Sequence, residues 1–172
     1  VIYVVRDPRN VVTSFANHNS KTNNDTTKLL MNELATGNEK DDVEVYMGSW
    51  ALNFNSWKTY KASNKYFLVK YEDLLNDTKR IFIEVLKFIS SVSGSALKID
   101  DKKLEKVIET THFNYLKNME KKYGFDEAKI NDNTGKKVNF FNLGPNNKWQ
   151  ILLNNEIREK IEVNFKNEMK EL

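Results

Sequence analysis

Cysteine is absent from this sequence, proline and histidine each occur twice, and glycine occurs six times in 172 residues. Without cysteine there is no disulfide, no thiolate nucleophile and no cysteine metal ligand. The two histidines, His18 and His112, are too far apart in sequence to suggest a metal-spaced cluster, and they read as surface residues. The glycines are scattered, so no glycine-rich phosphate loop is present. That disfavours a P-loop NTPase or kinase, because nothing resembles a Walker loop or its magnesium ligands. No apolar run approaches the ~20 residues of a membrane span. Neither sign of charge is in excess: 27 basic side chains face 24 acidic ones, a net charge of +3. This balance does not point to nucleic acid as a partner, although a slightly basic chain suits a small anionic ligand. There is no internal repeat. No signal peptide is visible, but the first residue is Val1 rather than methionine, which leaves the true N-terminus open.

What is present is an alternation of apolar runs and helical patterns in a chain long enough for one domain with a sizeable core. Ile2 to Val5 is an unalternated, β-branched run, expected to form a strand buried on both faces of a parallel sheet. Asp7-Pro8 then predicts a helix start, with Asp7 as N-cap and Pro8 in the first turn. Val11, Val12 and Phe15 continue at helical spacing. Asn17 to Asp42 is polar, with one apolar cluster at Leu29, Leu30, Met31 and Leu34, and predicts a short helix between loops. Val43 to Ala62 predicts a longer helix with Met47, Trp50, Phe54 and Trp57 on one face, the last three in the core. Tyr66 to Val69 reads as a second buried strand with Tyr71 at its carboxyl end. Asn76-Asp77 caps a helix whose Phe82, Val85, Leu86 and Ile89 share a face. Further helices are expected over 101–111, 114–122 and 155–172, with a long loop between Tyr123 and Trp149.

Two buried strands joined through helices imply a right-handed crossover and a parallel pair. Arg6 and Tyr71 then project from the same edge of the sheet. That carboxyl edge is where open α/β sheets bind ligands, and the helix N-terminus beside Arg6 favours an anion. A guanidinium fork fits phosphate oxygens two at a time. Asn10 and Ser14, four residues apart, share a helix face and are placed to reach one anion together. Set against this, Arg6 could be an ion-paired surface arginine, and Ser14 a mid-helix hydroxyl bonded to its own backbone. Glu72 and Asp73 read as stabilisers of the following turn rather than as an acid–base pair.

Five segments, in order, resemble the sulfotransferases that use 3′-phosphoadenosine 5′-phosphosulfate (PAPS), the cytosolic type most closely. "YVVRDPRNVVTSF" is similar to the family's 3′-phosphate-binding segment, which carries an arginine at a strand end and a serine eight residues on; here these are Arg6 and Ser14. "GSWALNFNSW" resembles its Gly-x-Trp…Trp helix, and "FLVKYEDLLND" its strand with a tyrosine that approaches adenine, here Tyr71. "TTHFNYLKNME" resembles the segment that places Thr111 and Phe113 near the adenosine. "FFNLGPNNKW" resembles the late glycine loop that closes over the 3′-phosphate, here at Gly144.

The resemblance implies one domain over residues 1–172, the C-terminal, cofactor-binding portion of a sulfotransferase domain. The expected fold is α/β, a P-loop-like three-layer arrangement with a parallel sheet flanked by helices and without the N-terminal P-loop strand. The family transfers a sulfuryl group from PAPS to a hydroxyl or amine acceptor. Its lysine-bearing 5′-phosphosulfate loop and its catalytic histidine have no counterpart here, so no catalytic residue and no metal ligand is assigned. This chain alone is therefore expected not to turn over. In the late loop, Asn142 and Leu143 stand where the family carries arginine and lysine, with Lys136, Lys137 and Lys148 as candidate replacements. The alternative reading is a catalytically inactive nucleotide-binding or interaction remnant of the same fold. Expected partners are a small acceptor and an N-terminal polypeptide completing the fold, with neither nucleic acid nor membrane, in the cytoplasm. Apolar sheet surface is expected to remain exposed.

Overall fold

The computed structural model describes residues 1–38, 44–131 and 134–172. Its centre is a parallel pair of strands, β1 (Ile2–Val5) and β4 (Phe67–Lys70), in the register Ile2↔Phe67 through Val5↔Lys70. Pleating sends Tyr3, Val5 and Leu68 to one face. There they meet Val12 of α1 (Pro8–His18), Trp50 and Phe54 of α3 (Trp50–Lys58), Ile157 and Ile161 of α9 (Asn155–Asn164), and Phe165. Trp50 stacks on Phe54 at 5.7 Å and meets Phe165 at 5.1 Å. Phe67 and Val69 point the other way, beneath α5 (Thr78–Ser93), whose Phe88 stacks on Phe67 at 5.3 Å. The result is helix, sheet and helix in three layers, the α/β arrangement expected.

The second face is covered on one column only. α5 packs on β4, and β1 beside it keeps Ile2 40% and Val4 55% exposed. The strand expected to be buried on both faces is thus buried on one, as the side chains Tyr3 and Val5 alternate inward.

Local signals explain most element starts. The Asp7 carboxylate accepts from the Arg9 amide, and Pro8 opens α1. Thr22 caps α2 (Asn23–Met31), Asp77 caps α5, and Asp100 caps α6 (Asp101–Thr111). β4 runs straight into α4 (Tyr71–Asn76), and α6 is followed by α7 (Phe113–Tyr123). A 3₁₀ turn at Gly144–Asn146 leads to α8 (Trp149–Leu152) and then to α9.

Three expectations need correction. The helix expected from Val43 begins only at Trp50, and Val43 itself lies outside the described residues, as do 39–42 of the polar stretch before it. Glu44–Tyr46 forms β3, antiparallel to β2 (Thr36–Asn38). Gly48, at φ +66°, breaks the chain between strand and helix, and the Ser49 hydroxyl caps α3 by accepting from the Leu52 amide. Trp57 is not core: it is 40% exposed and stacks on Tyr60. The last helix stops at Asn164 rather than Leu172, because Phe165 leaves the helical path to fill the core, and a 3₁₀ turn follows at Glu168–Glu171.

Candidate functional site

A cleft of about 210 Å³ opens at the carboxyl edge of the parallel pair. Its walls come from four places: Arg6 after β1, Thr13, Ser14 and Asn17 of α1, Tyr71 after β4 with Phe113 of α7, and the loop from Phe140 to Asn147. The register Val5↔Lys70 places Arg6 beside Tyr71, and the guanidinium lies 4.3 Å above the tyrosine ring. One of its terminal nitrogens approaches the Gly144 carbonyl at 3.4 Å. Among the described residues Arg6 has no carboxylate partner, and its Nε–H is buried without an acceptor. A buried donor on a charged group without an acceptor is costly, and of the four side chains with a buried, unpartnered polar atom among the described residues, Arg6 is the one that lines this cleft.

The contrast with Arg9 is instructive. Arg9 holds Asp7 in a fork, Nε to Oδ1 at 3.0 Å and a terminal nitrogen to Oδ2 at 2.6 Å, and reaches Glu162 at 2.7 Å. It also lies 4.0 Å from the Trp149 ring centroid. Burial opposes its charge, but the hydrogen bonds and charges of Asp7 and Glu162 outweigh that and keep its pKa above the ordinary arginine value. Arg9 is thus committed to structure and leaves Arg6 as the sole ionised side chain lining the cleft among the described residues.

Ser14 is exposed on the cleft side of α1, and its hydroxyl makes no hydrogen bond among the described residues, so it is not spent on its own helix. Asn10, expected to act beside it, faces elsewhere. Its Oδ1 accepts from the Trp149 amide at 2.9 Å, and its carbonyl accepts from Asn147 Nδ2 at 2.9 Å. The buried Asn147 also accepts from the Thr13 hydroxyl. This Asn10–Asn147–Thr13 clamp ties the late loop to α1. The Glu72 carboxylate accepts from the Asp7 amide at 3.4 Å, which ties α4 to the start of α1 rather than to the turn that follows Glu72.

Gly144 stands at φ +53°, and a Cβ there would overlap the Phe113 ring. Only glycine lets the loop lie against that ring. Phe140, Phe141, Phe113 and Phe125 form an aromatic cluster beneath it, with Phe125 and Phe140 at 4.8 Å. Two α7 side chains hold this loop. The buried Glu120 carboxylate accepts from the Phe140 amide at 2.7 Å and the Phe141 amide at 3.0 Å, and Lys117 Nζ donates to the Asn142 carbonyl. His18 meets Phe140 edge-on at 5.6 Å. Burial and the Lys129 charge lower the His18 pKa, against an opposing effect of Glu127.

Of the six residues expected at the site, the fold brings together Arg6, Ser14, Tyr71, Phe113 and Gly144. Thr111 stays outside: it is exposed at the end of α6, and its hydroxyl donates to the Val107 carbonyl at 2.7 Å. Lys136, Lys137 and Lys148 are exposed and line no part of the cleft. Glu120, Lys117, Thr13 and Asn147 were not foreseen. Their partners are backbone or amide groups in a distant loop, and no spacing rule links them.

The parallel pair thus carries at its carboxyl edge a cleft with an arginine that has no carboxylate partner among the described residues, an exposed serine hydroxyl and aromatic walls. Comparison with known proteins places the chain in a family. The sulfotransferase domain model matches residues 1–172, so the chain belongs to the sulfotransferase family. It is 25% identical over 178 residues to sulfotransferase 1B1 of Canis lupus familiaris, covering 98% of this chain and 54% of that protein. It is 27% identical over 124 residues to the 3-beta-hydroxysteroid sulfotransferase of Cavia porcellus, covering 70% and 39%. Among solved structures, mouse sulfotransferase SULT7A1 complexed with PAP superposes with a TM-score of 0.62 at 19% identity, over 99% of this chain and 58% of that one. The fold is therefore that of the sulfotransferases. The chain spans about half the length of the relatives it matches, or less. Among the described residues no helix is long and apolar enough to cross a membrane, and no cluster of histidine, aspartate and glutamate suits a metal ion.

Proposed function

We propose that this chain forms the part of a sulfotransferase that holds the adenosine 3′-phosphate end of PAPS, for sulfuryl transfer to a small hydroxyl or amine acceptor. The observation that carries this reading is Arg6: a guanidinium without a carboxylate partner, its Nε–H buried and unsatisfied, facing a cleft. Ser14 adds a free hydroxyl, and α1 adds the positive end of its dipole. Tyr71 and Phe113 offer ring faces for the adenine. Arg6 already covers one face of Tyr71, so the base is expected on the remaining aromatic surface. PAPS supplies the activated sulfuryl group; these residues bind and orient its nucleotide end. A further polypeptide segment covering Ile2 and Val4 would complete the fold around the 5′ end.

The test is calorimetric titration with 3′-phosphoadenosine 5′-phosphate and with adenosine 5′-phosphate, which lacks the 3′-phosphate. A hydrogen bond to a charged group contributes about 1.5–3 kcal/mol. Arg6→Ala should therefore weaken the bisphosphate by about ten- to a hundredfold and the monophosphate by much less. Equal losses for the two nucleotides would show that Arg6 does not read the 3′-phosphate.

A further inference from the structure

We propose that Lys117 supplies the second positive charge of this nucleotide site, in place of the cationic side chains that Asn142 and Leu143 replace. The inference rests on the reading just given and extends it to a residue on another element.

The argument begins with charge. A phosphomonoester carries about −1.5 to −2 at neutral pH. Arg6 is the sole ionised side chain lining the cleft among the described residues, so a bound phosphate keeps up to about one uncompensated charge in a partly buried place. Taking that charge out of water is unfavourable unless another cation stands near.

Lys117 fits the need by position and by availability. It projects from α7 one turn after Phe113, with its ammonium 5.5 Å from that ring's centroid. The same ammonium donates to the Asn142 carbonyl. Phe113 and Asn142 both line the cleft, so Lys117 stands directly behind its wall. It is half-buried and has no ion pair among the described residues, unlike Arg9, which Asp7 and Glu162 hold. An ammonium has three donors, and the Asn142 carbonyl takes one. The flexible four-carbon stem lets the other two turn toward an anion without moving α7.

The neighbouring Glu120 forms no direct ion pair with Lys117 among the described residues. It lies one turn on along α7, and its two carboxylate oxygens accept from the Phe140 and Phe141 amides rather than from Lys117. Glu120 fixes the start of the loop by accepting from the Phe140 and Phe141 amides, and Lys117 holds the Asn142 carbonyl from behind the cleft wall.

Lys117→Gln tests this, because glutamine removes the charge yet retains an N–H donor for the Asn142 carbonyl. Titration should show the bisphosphate weakened by about five- to tenfold, the monophosphate nearly unchanged, and Lys117→Arg close to the parent chain. Amide hydrogen exchange at Phe140 and Phe141 should stay as slow as in the parent, which separates charge from loop order. Unchanged bisphosphate affinity in Lys117→Gln would overturn the proposal. So would equal losses for both nucleotides accompanied by fast exchange at those amides, since that pattern marks a purely structural lysine. If the parent chain itself shows no preference for the bisphosphate, the nucleotide reading fails together with this one.

Discussion

Arg6 and Arg9 lie three residues apart with the same side chain, and the structure gives them different work. Arg9 is neutralised by Asp7 and Glu162 and joins α1 to α9, whereas Arg6 is left with an unsatisfied Nε–H at the cleft. The sequence motif made Arg6 legible, because a strand end followed by Asp-Pro is a local signal. The bond from Arg9 to Glu162 and the clamp through Asn147 were not, because they join positions more than 130 residues apart. Gly144 shows a legible residue whose reason was hidden. Its place in the motif was readable; its contact with Phe113 was not. Gly144→Ala should lower stability by about 1–3 kcal/mol through left-handed backbone strain. Displacement of the Phe113 ring should weaken nucleotide binding as well. Urea denaturation and bisphosphate titration check both, and an alanine variant with parental midpoint and affinity would show that the loop adapts freely.

At the scale of elements, the parallel pair was readable from two unalternated apolar runs, and two helix starts from their caps, Asp7 and Asp77. Glu44–Tyr46 was not, because three residues of hairpin strand carry too little periodicity to oppose the helical pattern that continues through Trp50. Thr111 was misplaced for a related reason. Its motif fixes the turn between α6 and α7, but the cleft faces Phe113, two residues on. The sheet also carries a pH dependence. Burial, then the neighbouring Tyr66, pushes the Tyr3 pKa up to about 12, while its hydroxyl donates to Asn53 Oδ1 at 2.8 Å. The folded chain thus holds this proton more tightly than the unfolded chain, whose tyrosine titrates near 10. The resulting stability is complete below about pH 10 and is lost as pH rises toward 12. Denaturation midpoints measured between pH 9 and 11.5 should fall, and Tyr3→Phe should flatten the decline. An equal decline in both proteins would assign the effect to other groups.

For the molecule as a whole, the uncovered part of the sheet matters most. Ile2 and Val4 are exposed on the face that α5 covers only over β4. Strand surface of this kind pairs with whatever reaches it, including a second copy of the same polypeptide. Residues 1–172 produced alone are therefore expected to self-associate. Val4→Lys should shift sedimentation toward monomer while leaving the bisphosphate affinity largely intact, since Val4 does not line the cleft and is exposed on the sheet face opposite Tyr3 and Val5. A parent chain that sediments as a monomer at all concentrations would count against this expectation.

The contact between Arg6 and the Gly144 carbonyl spans 138 positions. During synthesis at roughly 5–20 residues per second, the arginine waits about seven to thirty seconds for the loop that closes its cleft. Until the loop and α9 follow, the first strand has α1 and α3 against its apolar face but lacks the cleft loop and the Ile157, Ile161 and Phe165 part of its core. The cleft is then among the last features of the chain to form, so a ribosome-bound intermediate would present the arginine long before it could select a ligand. Non-local closure of this kind also slows refolding of the complete chain, because the entropy of joining distant segments is lost before their contacts can repay it.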